Sequence, residues 1–251
     1  MTVAVYDFPT EWYDLLVSQK FNVRSINQAS QLPWSGAGNS ISGPHTQLWI
    51  NEVTFTSLTD YMRPDLGPIL QDVDAFFSQL RGRAGVVRMS NGQRLRPWYD
   101  RSLTPGVATW SDGSTFTDGT GFASGYLPPE IYLTATALKG ARTVTLGGLP
   151  VSTSSVIRRG DLLQIKPNGI PGTVPHLYKV MVGGGTNSSG QIGVAIEPAL
   201  RAGVAAGDVV SLRNASTLFR MTDDSQFEIE ETSSQMGNVG GTLVEALDLI
   251  P

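Results

Sequence analysis

The sequence predicts a mainly β protein with one prominent amphipathic helix. Its expected architecture is a β-sandwich domain with a second β domain, barrel or sandwich, inserted into it. Three observations carry that prediction. Short apolar or alternating runs recur along the chain, each bounded by Gly, Pro, Asn or Asp. One segment alone keeps a sustained helical period. Charged residues make up only 16% of the 251 positions, against roughly 25% in an ordinary domain. Their place is taken by 28 Gly, 15 Pro and many Ser and Thr, which excludes a coiled coil. Five Trp, nine Phe and seven Tyr exclude a disordered chain, because they supply the large apolar bodies of a core.

The first clear strand lies in residues 45–56. There Trp49, Asn51, Val53 and Phe55 alternate with Leu48, Ile50, Glu52 and Thr54, so the first set shares one face. The helix follows in residues 65–81. Ile69, Val73, Phe76, Phe77 and Leu80 form one stripe at the 3.6-residue period, while Asp72, Asp74, Ser78, Gln79 and Arg81 occupy the outer face. Pro64 and Pro68 stand at its start, where a missing N–H costs little, and Gly82 stops it. Further strands are predicted at 21–26, 86–89, 130–135, 142–146, 162–165, 178–182, 193–196 and 209–212, with a strand-like run at 219–229.

Composition changes near residue 100 and again near residue 216, and between them the chain is dominated by Gly, Ser and Thr. No long exact repeat is visible. Residues 1–101 plus 216–251 are expected to form one domain around the 65–81 helix, with 102–215 as an inserted peripheral β domain. An insertion into a surface loop is entropically cheap.

The net charge is −4 and the isoelectric point about 5.2, so no basic field draws the chain to nucleic acid or anionic lipid. The absence of Cys removes disulfides, thiolate metal sites and Cys nucleophiles. The N-terminus lacks the basic and apolar regions of a signal peptide. No stretch approaches the ~18 apolar residues of a membrane span. A soluble protein made in a cytoplasm is the expectation.

No segment assembles a reactive constellation. His45 and His176 are the only imidazoles and are far apart in sequence, so structural roles are expected and no metal site. Glu228 and Glu230 would share one face of a strand, as paired acid–base carboxylates do, but an exposed strand with Phe227 and Ile229 inward explains the spacing. Gly36-Ala-Gly38 precedes no helical stripe, and Gly183-Gly-Gly185 lacks the Lys-Ser/Thr of a phosphate loop; both read as flexible turns. No catalytic residue, metal or cofactor is expected.

The order of segments resembles a family. Trp49 with its alternating strand, the 64–80 segment and its exit Leu80-Arg-Gly-Arg-Ala-Gly-Val-Val87 are similar to tailed-phage tail-tip proteins. A second match runs from Val156-Ile-Arg-Arg-Gly-Asp161-Leu-Leu-Gln-Ile165 through Leu177-Tyr-Lys-Val180 to Ile196-Glu-Pro-Ala-Leu-Arg201. It ends with Gly207-Asp-Val-Val210 and Leu218-Phe-Arg220. The family is that of the distal tail or baseplate ring proteins of siphophage type. Its motifs cover about residues 45–90 and 155–222.

That resemblance implies a structural virion protein, assembled in the host bacterial cytoplasm. It would form a ring, commonly a hexamer, that joins the tail tube protein to the hub and to fibre or receptor-binding proteins. Within the family the ring is built by the first domain, and the second projects outward. A closed ring needs two different complementary patches on each copy. Uneven charge supplies candidates: Arg63, Arg81, Arg83, Arg88, Arg94 and Arg96 on one side, and Asp223, Asp224, Glu228, Glu230 and Glu231 on the other. The same charges could also pair within one subunit. An alternative function is a carbohydrate-binding or carbohydrate-cleaving β module, suggested by Trp98, Tyr99, Trp110 and Tyr126 in Gly-rich surroundings.

Overall fold

The computed structural model describes residues 4–25, 28–31, 38–41, 47–56, 69–80, 82–97, 106–108, 122–124, 131–166, 176–224, 227 and 239–246. In chain order, the first elements are β1 (Val5–Asp7), a 3-10 turn (Thr10–Leu15), β2 (Leu16–Ser25), β3 (Gln28–Gln31), β4 (Gly38–Ile41) and β5 (Gln47–Phe55). Next come α1 (Ile69–Gln79), β6 (Val86–Ser90), β7 (Gly106–Ala108), β8 (Phe122–Ser124), β9 (Ile131–Leu133), β10 (Thr143–Gly147) and β11 (Leu162–Lys166). The chain continues through β12 (His176–Val182), β13 (Ile192–Glu197), β14 (Val209–Ser211), β15 (Ser216–Met221) and β16 (Gly240–Glu245). The protein is mainly β, with α1 as its one described α-helix.

The chain divides into two compact units, Met1–Gln93 with Ser216–Pro251 and Arg94–Ala215. The first holds a six-stranded sheet in the order β1-β6-β15-β16-β5-β2. Only β1 and β6 run parallel; every other neighbour is antiparallel. On β5 every second side chain, from Gln47 through Trp49, Asn51 and Val53 to Phe55, is buried, as the alternation predicts.

The helix covers that face. Ile69, Val73, Phe77 and Leu80 are buried and Phe76 is half-buried. Phe77 meets Phe55 edge-on with ring centroids 6.0 Å apart, and Phe76 lies 5.4 Å from Trp12 of the 3-10 turn. Each such ring, fully buried, stabilises the fold by about 1.5–3 kcal/mol. The Leu80 N–H closes the last turn on Phe77 O, and Gly82 follows at φ +62°. The predicted start of the helix at residues 65–68 lies outside the described residues.

The second unit is a closed antiparallel barrel in the order β10-β13-β12-β11-β14-β9, with β9 pairing back to β10. Strands β11, β12 and β13 form a meander, and β14 returns beside β11, which is a Greek-key connection. Its core is aliphatic, built from Leu133, Leu146, Leu163, Ile165, Val180 and Val194 among others, with Tyr178 as its aromatic member. Asn214 N–H donates to Leu95 O at 2.7 Å, so the two ends of this unit lie side by side.

The barrel uses one turn form three times, twice with the Gly-Asp pair of the sequence and once without the Asp. Leu138-Lys139-Gly140-Ala141, Arg158-Arg159-Gly160-Asp161 and Ala205-Ala206-Gly207-Asp208 form the same turn. In each, the fourth N–H donates to the first carbonyl, at 3.0, 3.1 and 3.2 Å. The third residue is Gly at φ +88°, +95° and +92° respectively. A Cβ at Gly140 or Gly207 would meet nothing within 4 Å, so the backbone angle, and not space, requires glycine there. The Asp161 and Asp208 carboxylates each accept the first N–H of their turn, at 2.8 Å.

Two expectations are corrected. Gly183-Gly-Gly185 is not a flexible turn: Gly183 lies against the Ile157 carbonyl, and a Cβ at Gly185 would stand 2.7 Å from Thr153 O. Close backbone approach explains both glycines. The run at 219–229 is not one strand. Strand β15 ends at Met221, and Phe227 sits in a turn at φ +64°, stacked on Phe77 with centroids 3.9 Å apart. The apolar contact to the helix decides its place, so its inward direction comes from packing and not from strand alternation.

Candidate functional site

Among the described residues no group of three or more His, Asp or Glu is arranged to hold a metal ion. No described helix is long and apolar enough to cross a membrane. Tyr13 shows how the polar groups of the first unit are used. Its hydroxyl accepts the Ser90 N–H at 2.7 Å, and burial pushes its pKa above the ordinary value. Gln19 donates to Ser90 O at 3.0 Å and accepts the Gly92 N–H at 2.8 Å. These bonds pin the end of β6. They are structural.

The charged surface is the candidate subunit interface. Arg83 and Asp224 are brought together, although 141 positions apart: the Asp224 carboxylate accepts the Arg83 backbone N–H at 2.7 Å. Asp224 also lies directly over Gly82, where a Cβ would collide with it. The bond uses the Arg83 backbone and not its guanidinium, and the side chain is exposed. Next to this contact are two recesses. One, of about 150 Å³, lies between Phe77, Phe227 and Asp224. The other, of about 430 Å³, is lined by Arg83, Arg220, Thr222 and Glu245. Glu245 is buried and accepts the Trp49 N–H at 3.1 Å, while Arg220 is itself engaged within the chain. This floor is part of the fold.

The other predicted residues are dispersed. Arg88 forms an ion pair with Asp7 at 2.9 Å, directly across the β1–β6 register. Arg94 donates to Gly160 O at 3.0 Å and Arg96 is exposed; both belong to the second unit, whereas Arg83 and Arg88 belong to the first. Asp223 is exposed and engaged within the chain. Arg63, Arg81, Glu228, Glu230 and Glu231 lie outside the described residues, as do Trp98, Tyr99, Trp110, Tyr126 and His45.

One polar grouping has no forewarning in the sequence. His176 and Arg201 are both 1% exposed in the barrel. The Arg201 N–H donates to the Tyr178 hydroxyl at 3.2 Å, and the Tyr178 ring stands 6.4 Å from that of His176. Burial, with Arg201 nearby as a second cause, lowers the His176 pKa from 6.5 to about 4. The imidazole is therefore neutral at pH 7. Nothing in the spacing of His176 and Arg201 signals the pair, because the barrel closure creates it.

The chain matches no protein-family profile and no curated protein sequence.

Proposed function

We propose that this chain is a structural component of a phage tail tip or baseplate, forming a ring that joins the tail tube to the hub and to receptor-binding or fibre proteins. The observation that carries the reading is the order of its segments, from the Trp49 strand through the 80–87 exit to the two Gly-Asp turns. Those motifs do structural work in this chain, since Asp161 and Asp208 close turns that start barrel strands. A scaffold made of two β units suits a part in an assembly. The chain is proposed to have no enzymatic activity and to act within the virion.

Copies would meet head to tail, with the arginine side chains at the helix exit facing the acidic segment of the next copy. Contacts of this kind set register and orientation while apolar contacts hold the ring. The Arg83–Asp224 contact favours a second reading, in which part of the acidic segment serves its own subunit. Because that contact uses the backbone, it does not occupy the guanidinium of the exposed Arg83.

Particle mass by light scattering tests the proposal. A closed assembly of several copies is expected for the purified chain, and its loss at low salt is expected on reversing Arg81 and Arg83 to Glu. A monomer at every concentration would overturn the ring. Unchanged assembly of a folded double variant would remove these arginines from the interface.

A further inference from the structure

His176 is an expensive residue for its position. It opens β12 directly opposite Ile165 of β11, and lies two residues from Tyr178 and four from Val180, which both belong to the barrel core. Neither ring nitrogen has a hydrogen-bond partner among the described residues. A buried polar group without partners costs stability that an apolar side chain of similar size would not. Such a group invites the question of what its chemistry adds.

Among the described residues, Arg201 is the charged group that acts on it. Arg201 comes from the segment after β13, is fully buried and, like any arginine, is a cation. On β11 the facing residue is Ile165, and the following Lys166 is exposed. Lys179 of β12 pairs in register with Glu197 of β13. The buried carboxylates of Asp161 and Asp208 are held by the Arg158 and Ala205 N–H groups of their own turns. Strand β14 carries no ionisable side chain, and neither does the sequence of residues 167–175.

We propose that His176 makes the barrel an acid-labile module, in which protonation of the imidazole places a second cation beside Arg201 in the closed core and separates the start of β12 from β11. The sign follows from burial. The folded barrel holds His176 neutral down to about pH 4, whereas an opened chain takes up the proton near 6.5. Acid therefore favours the open form between those values. No catalytic role is involved, and the inference does not rest on the proposed tail function.

Ring resonances of the full-length chain, followed by NMR from pH 7 to 3.5, test it. His45→Gln assigns the two imidazoles. The His176 signal is expected to keep its neutral shift to below pH 5 and to titrate near 4. Between pH 6.5 and 4, the β11 and β12 amides should lose hydrogen-exchange protection roughly tenfold per pH unit once intrinsic rates are corrected. His176→Phe should retain that protection. Titration near 6.5 without loss of protection would overturn the proposal. So would opening of a folded His176→Phe barrel at the same pH. If His176→Phe does not fold, the wild-type titration and exchange decide alone.

Discussion

The two units solve the same problem, burying one face of each strand, in opposite ways. The barrel closes on itself. Each of its six strands has a neighbour on both sides, and its interior is filled almost entirely by Leu, Ile and Val. The sheet of the first unit stays open, so it has edges to protect and a face to cover. Its outer strand β2 exposes Lys20, Asn22 and Arg24 and bulges at Val17. Its other edge, β1, is only three residues long. The cover is aromatic: Phe8, Trp12, Phe55, Phe76, Phe77 and Phe227 interlock between helix and sheet. Closure lets small branched side chains suffice. An open sheet under one helix needs large flat ones that reach across the gap between layers.

The comparison can be broken most directly at the helix. Phe77→Ala removes a ring that is stacked on Phe227 and meets Phe55, and should cost about 3–5 kcal/mol in urea denaturation. Hydrogen exchange should rise at β5 and β15. If it rises equally at β11 and β12, the two cores are not separate. The barrel counterpart is the acid response. A folded pKa near 4 against 6.5 unfolded is a difference of about 2.5 units, worth about 3 kcal/mol. Stability is full above pH 6.5, falls as pH drops towards 4 and levels below it. His176→Phe should flatten that part of the curve, measured by denaturant titration at each pH.

Smaller effects sharpen the role of the repeated turn. Asp161→Ala and Asp208→Ala each remove a buried carboxylate from a turn N–H and should cost about 1–3 kcal/mol by urea unfolding. The third turn has Ala141 where the others have Asp. Ala141→Asp should therefore stabilise the barrel, by about 0.5 kcal/mol, and a loss would show that the three turns are not equivalent. The smallest effect is expected at the exposed edge. Lys20 and Glu52 pair at 2.9 Å, but their side chains are 69% and 47% exposed, so Lys20→Ala should change stability by about 0–1 kcal/mol.

Much of the barrel could be read from the sequence. Most of its strands match short apolar runs between turn residues, and the Gly-Asp pairs mark where two of them begin. These signals are local, because a turn and the strand after it are set by a few consecutive residues. The alternation of β5 and the stripe of α1 are legible for the same reason. Strands β1, β3, β4, β7, β8 and β16 are not among the strands the sequence predicts: the first five are only three or four residues long, and β16 begins with two glycines and has no alternating apolar pattern. The candidate interface was legible only as charge. That Asp224 bonds to Arg83, or Arg88 to Asp7, depends on β15 and β1 both flanking β6.

Local pattern by itself determined the β class, the single amphipathic helix and the positions of most strands, because period, turn chemistry and the absence of Cys act over a few residues or over composition. Tertiary structure alone decided that β16 fits between β15 and β5, that three turns of different sequence take one form, and that Gly183 and Gly185 serve close packing. It alone brought His176 to Arg201. Each of these joins residues that are distant along the chain, and a pairing of that kind has no energy until the backbone closes and excludes water around it.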